Sequence, residues 1–308
     1  MPYRFTGHET FPCRYAWLPK ACRMLSHDQA GFADEDQAMA KLGIGKNMFR
    51  ALRFWMQVMG VAESTQPQKQ THFRITPDFG IPIFQQSGGL DPFLEDIRTL
   101  WLLHWNIATQ QKDPLFAWDY MLFHWNRPEI SRSEAVRTFQ QEADKQERKL
   151  SPVTLTQHFD VFLHTYVPTR GAKGNVLEDN LDSPLVELDL IHQVGERPLE
   201  GTSRREAIYA FRREEKADIT PALFAYCLNQ FWQDRHRDEQ TLNFRSIAFA
   251  PGSPGQVFKL PERDVRARLE ELANTRGIFF RYKQTAALHQ IERTVAPYPD
   301  KLLRQIYQ

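Results

Sequence analysis

Between two runs of helical periodicity the chain leaves only three residues, Gly43-Ile44-Gly45. Glycine takes positive φ at no steric cost, so such a link closes one helix in a left-handed residue and turns sharply into the next. The run before it opens at Asp34-Glu35-Asp36 and carries Ala38, Met39 and Leu42 on one side. The run after it extends from Lys46 to about Met59. There Met48, Phe49, Leu52, Trp55, Met56 and Met59 make one broad apolar stripe, while Lys46, Arg50, Arg53 and Gln57 recur at i, i+4, i+7 and i+11 on the opposite side. Gly60-Val61, a polar segment Ser64 to Thr71 and the strand-like Phe73-Arg74-Ile75-Thr76 follow. Helix, short turn, basic-faced helix and polar hairpin is the order of a winged helix-turn-helix. Its arginines and lysines reach phosphates or guanine edges, and Asn47, Gln57, Gln68, Lys69, His72 and Arg74 add further donors. The plainer alternative is a helical hairpin with a solvated basic face.

Composition gives an apparent objection. The 308 residues hold 39 Lys plus Arg against 38 Asp plus Glu, a net charge of +1. With 42% hydrophobic and 25% charged residues, this is an ordinary globular chain, not a disordered one or a polyanion-binding tail. The charge is, however, unevenly spread. Lys41 to Arg74 holds six basic residues and one acid, whereas Leu177 to Glu200 holds seven acids and one arginine. That acidic stretch reads as a solvated loop, a partner-facing surface or a cation site.

Three cysteines without CxxC spacing fit a reducing compartment. No apolar h-region opens the chain, and no run approaches the roughly 20 apolar residues of a bilayer span, so a cytoplasmic protein with no membrane partner is expected.

The rest of the chain reads as mainly α: winged-helix modules at residues 1–90 and 219–308, joined by a helical middle domain at 91–218. Helices are expected over 14–26, from Asp91 through His104, over 114–125, 131–149 and 151–168, and over 203–216, with 169–202 as loop. The C-terminal block repeats the first plan more weakly. A helix over Pro221 to Arg235 leads to the turn Pro251-Gly252-Ser253-Pro254-Gly255, then to a helix over Pro261 to Ala273 with Arg263 and Arg266 off its apolar stripe. A hairpin closes it, and Lys259 to Lys283 holds seven basic and four acidic residues. This module could face DNA or protein.

Catalytic candidates are thin. His8-Glu9 could be an acid/base or metal-ligand pair, although adjacent strand residues point to opposite faces, and a structural role is the stronger reading. Glu214-Glu215-Lys216, with Asp182 and Asp189 upstream, mimics a restriction-type triplet, but on an expected helix. Asp182 and Glu187 lie in the acidic stretch. No P-loop, dinucleotide fingerprint, HExxH or GxSxG occurs, which removes the matching enzyme classes and any organic cofactor from view. The tryptophans sit at helical spacing and read as core.

Three strings resemble a known family: Phe5-Thr6-Gly7-His8-Glu9-Thr10-Phe11-Pro12 followed by Arg14, Trp17, Leu18 and Lys20; Leu181 to Leu188; and Pro251 to Leu260. They resemble the SspB-like subunit of the bacterial Ssp DNA-phosphorothioation defence system. The resemblance implies a protein that binds double-stranded DNA and nicks one strand for sulfur incorporation, with Mg²⁺ or Mn²⁺. It also implies a cysteine desulfurase, a sulfur-transfer enzyme and an ATPase as partner subunits. A non-enzymatic DNA-binding adaptor and a protein-interaction scaffold are the alternatives, and a homodimer is left open. The catalytic and metal-binding residues are not fixed by the sequence.

Overall fold

The structure, a computed structural model, describes residues 3–65, 72–168, 183–199, 201–274, 280–285, 289–293 and 299–308. Gln68, Lys69 and Asp182 lie outside the described residues. The chain is mainly α, with small antiparallel sheets. It divides into two compact units, Met1–Met121 with Trp125–Arg212, and Leu122–His124 with Arg213–Gln308. Residues 90 and 91, expected to flank a boundary, both lie in the first unit.

In the first unit α1 (Trp17–His27) buries Trp17, Leu18, Ala21, Cys22 and Leu25. Asp34 accepts the Gln37 N–H at 3.0 Å and opens α2 (Glu35–Leu42). Gly43, at φ 69°, ends that helix, and the Ile44 N–H donates back to the Met39 carbonyl at 3.1 Å. The chain turns at once into α3 (Lys46–Val58), then into the antiparallel pair β1 (Ala62–Ser64) and β2 (Phe73–Ile75). After α4 (Gly80–Phe84), helix α5 spans Ile97–Thr109 and starts later than Asp91 suggests. Asp96 is its cap, accepting the Arg98 N–H at 2.8 Å. Asp91 instead holds a preceding turn, accepting from the Glu95 and Asp96 amides at 2.8 and 3.1 Å, with Leu94 left-handed at φ 62°.

The helix expected over 114–125 is α6 (Phe116–Asp119) running into a π-helical turn, Tyr120–His124. Next come β3 (Ile130–Ser131), α7 (Arg132–Lys145) and α8 (Pro152–Tyr166), the last capped by Ser151, which accepts the Thr154 N–H at 3.1 Å. A 3-10 turn over Pro184–Leu188 precedes β4 (Ile191–Pro198) and β5 (Arg205–Phe211), and the sheet order is β3-β5-β4. Two expectations are corrected here. Residues 203–216 contain a strand rather than a helix, and 169–202 contain its hairpin partner. Their Arg, Glu and Ala content favours helix locally, but the Leu199 N–H donates to Arg204 O at 2.8 Å and sets a seven-pair ladder that overrides propensity.

Tryptophans 55, 101, 105 and 118 are each at most 1% exposed and form the core. A polar knot within it is satisfied: the Trp118 indole donates to the Tyr166 hydroxyl at 2.9 Å, and that hydroxyl lies 2.7 Å from His104 Nδ1.

In the second unit α9 (Pro221–Arg235) is followed by β6 (Thr241–Asn243), α10 (Phe244–Phe249), α11 (Pro254–Val257), α12 (Glu262–Asn274), β7 (Phe280–Gln284), β8 (His289–Arg293) and α13 (Pro299–Ile306). Its antiparallel sheet has the order β6-β8-β7. No described helix is long and apolar enough to cross a membrane.

Candidate nucleic-acid interface

Helix α3 sets the geometry of the first unit's polar face. Lys46, Asn47 and Arg50 are exposed along its N-terminal half, just after the Gly43-Gly45 turn. Arg53, expected on the same outer stripe, departs from it. It is 6% exposed, ion-paired to Glu35 at 2.6 Å, and lies with its guanidinium carbon 4.8 Å from the Phe49 ring centre. The physical reason is that the acidic first turn of α2 packs back over that turn of α3 and draws the arginine inward.

The C-terminal half of α3 does not face open solvent. The N-terminal segment crosses it: the Trp55 indole donates to Phe11 O at 2.9 Å, and the Arg4 guanidinium lies 4.5 Å from the Phe54 ring centre. Between that segment, α3, β1 and the loop after α5 runs a cleft of about 1020 Å³. It brings together Arg50, Arg53, Gln57 and Glu9 from the sequence reading, and adds Arg4, Lys112, Asp113 and Gln110. Glu9 and Asp113 both hold left-handed backbone, at φ 49° and 52°. Non-glycine residues adopt that region at a cost of order 1–3 kcal/mol, and such positions cluster at ligand sites.

Other predicted residues lie elsewhere. His72 and Arg74 line a second groove of about 370 Å³ with Leu25, Gln29 and Ile81, and Arg74 pairs with Glu63 at 2.6 Å. Arg263 and Arg266 are in the second unit; Arg263 is exposed, whereas Arg266 pairs with Glu262 at 3.3 Å and lies over the Phe244 ring. Glu187 accepts the Tyr15 hydroxyl at 2.6 Å, and Asp189 is ion-paired to Arg212. Glu214, Glu215 and Lys216 follow β5 rather than lying in a helix, with Lys216 buried and its Nζ on Glu214 O at 3.3 Å. Among the described residues no group of three or more His, Cys, Asp or Glu is placed to hold a metal.

His8 is 4% exposed and serves the structure behind the cleft. Its Nε2 lies 3.2 Å from His158 Nδ1 of α8, and His158 Nε2 accepts the Ala117 N–H at 3.0 Å. The Thr10 N–H in turn lies 3.1 Å from His8 Nδ1, so the two rings and two backbone amides form one buried network. Burial pushes the His8 pKa down to about 4 and that of His158 in the same direction, which keeps both rings neutral at pH 7.

Arg4 is one of four cleft residues that sequence reasoning missed. Its backbone pairs with the chain at Pro114 and Phe116, at 2.9 and 3.1 Å, which closes the cleft's far wall. A cation in an aromatic-rich N-terminal segment carries no periodicity. The signal was the neighbouring Gly7, whose φ of 112° leaves space that Arg4 fills.

Two crystal structures share this fold, one described as magnesium ion-bound SspB at TM-score 0.79 and one as SspB at 0.80. Each is 22% identical, covering 97% of this chain and 85% of the other. No curated protein sequence matches the chain. The family pattern described as "Protein of unknown function (DUF4007)" matches residues 5–307, so the chain belongs to that family.

Proposed function

We propose that the chain is a DNA-binding protein of a phosphorothioation-based defence system, docking duplex DNA through α3 and nicking one strand. The observation that carries the docking is the exposed Lys46-Asn47-Arg50 face at the start of the second helix of a helix–glycine turn–helix. In helix-turn-helix proteins it is the N-terminal residues of the second helix that reach base edges. The antiparallel β1-β2 pair that follows α3 supports reading this hairpin as a wing. A second winged helix is supported by the second unit, where α10 and α12 precede a hairpin and the first strand pairs with the last in the order β6-β8-β7. Arg263 on α12 is an exposed cation there.

The fold shared with SspB supports partners in such a system: a cysteine desulfurase, a sulfur-transfer enzyme and an ATPase. For strand nicking, Mg²⁺ asks one or two carboxylates of a protein when phosphates complete its shell, and of the carboxylates lining the cleft Glu35 and Glu63 are ion-paired to arginines, which leaves Glu9 and Asp113 as hard oxygen donors. They are the residues that would hold Mg²⁺ or Mn²⁺. A bound divalent cation would supply charge neutralisation at the phosphodiester and a more acidic water. Arg50 would orient the backbone at the cleft mouth.

Supercoiled plasmid incubated with purified protein and Mg²⁺ or Mn²⁺ tests the activity. Open circles that vanish in Glu9→Gln support nicking. DNA retention without open circles under either metal removes the enzyme and leaves a DNA-binding adaptor.

A further inference from the structure

The Arg4 guanidinium is fixed on three sides. Phe54 lies beneath it, its Nε donates to Thr6 O at 3.0 Å, and a Cβ on Gly7 would fall 2.5 Å from its Nη2. Among the described residues its two terminal nitrogens have neither hydrogen-bond partner nor ion pair. A half-buried planar cation with oriented, unused donors is what binds an oxyanion with little further ordering. Burial lowers its pKa, with Asp113 opposing, yet a guanidinium stays charged at neutral pH.

Gln110, which lines the same cleft, carries an unused acceptor. Gln110 Oε1 is buried without a partner, while its Nε2 is fixed on Lys112 O at 2.7 Å. Free donors for an oxyanion and a free acceptor for an N–H together describe a nucleotide, not a bare phosphate.

Charge sharpens this. Glu35 is tied to Arg53 and Glu63 to Arg74, so Arg4, Arg50 and Lys112 remain against Glu9 and Asp113. That excess of one positive charge balances the single negative charge of a phosphodiester, whereas the dianion of a phosphate monoester would leave one charge uncompensated. The volume of about 1020 Å³ sits at the upper end for ligand clefts.

We propose that this cleft seats one nucleotide of a DNA strand, its phosphodiester on Arg4 and its base edge donating to Gln110 Oε1. The site deepens the DNA-binding reading and rests on it for the identity of the strand.

The test is calorimetric titration of the full chain with the dinucleoside monophosphate dApdA, with inorganic phosphate as the second probe. Saturable dApdA binding should weaken about tenfold in Arg4→Gln and less in Arg4→Lys, which keeps the charge but not the planar stack. It should weaken about threefold in Gln110→Leu. Asparagine tolerates left-handed backbone, so Asp113→Asn keeps the loop, and in a titration run with chelator and no divalent cation, removing its charge should tighten dApdA several-fold. An unchanged affinity in both Arg4→Gln and Asp113→Asn, or inorganic phosphate binding as tightly as dApdA, overturns the proposal. Should Arg4→Gln fail to fold, the Asp113→Asn gain decides alone. Lys46→Glu separates the two readings: it should weaken duplex binding and leave dApdA untouched. Arg4-dependent dApdA binding without any duplex binding would retain this site and remove the docking face.

Discussion

A methyl group on Gly7 would lie 2.5 Å from Arg4 Nη2 and 2.8 Å from the Phe54 ring. The residue also needs φ 112°, which side-chain-bearing residues avoid. Gly7→Ala is therefore expected to cost about 1–3 kcal/mol in denaturant unfolding and to expel the guanidinium from its seat. Full stability in that variant would mean that the seat is softer than its contacts indicate. Behind it, the His8–His158 pair adds a pH dependence whose sign is fixed. Above pH 6.5 both folded and unfolded states are neutral there, and the contribution to stability is complete. Between pH 6.5 and about 4 the unfolded chain takes up protons that the folded rings refuse, so stability falls as pH falls. For His8 alone the full effect is about 3 kcal/mol. Ring-proton NMR titration should find both imidazoles neutral at pH 5.5, and a midpoint near 6.5 would contradict the buried arrangement.

At the scale of elements, α2 and α3 depend on their shared corner. Asp34→Ala removes the cap on Gln37 N–H and should cost about 1 kcal/mol, and Gly43→Ala should cost a further 1–2 kcal/mol at φ 69°. Chemical unfolding measures both, and a corner that tolerates either without loss would not be fixing the angle of α3. This corner was legible because capping residue, glycine and stripe all act within a few residues. The same holds for Ser151-Pro152 before α8 and Thr220-Pro221 before α9. The β4-β5 hairpin was not legible, since its strands are held by pairing with each other rather than by local preference. The burial of Arg53 was hidden for a related reason: a period of 3.6 places a residue on a face, but cannot say that Glu35 of another helix covers it. The wall of the cleft that α3 supplies was readable; Arg4, Gln110, Lys112 and Asp113 came from chain crossings.

For the whole molecule, a net charge of +1 conceals a division into basic and acidic segments. The structure refines that division. Glu35 neutralises Arg53 and Glu63 neutralises Arg74, which leaves Lys46 and Arg50 as the outward cations of α3. Duplex binding should accordingly have a modest salt dependence, set by a few phosphates and not by the full count of basic residues. The most direct measurement is fluorescence anisotropy of a labelled DNA duplex across a salt series, for the native chain and for Lys46→Ala/Arg50→Ala. The account predicts at least about tenfold weaker binding in the variant, with the slope of log K against log salt reduced by about 2. Equal affinity and equal slope in the two proteins would contradict docking through α3.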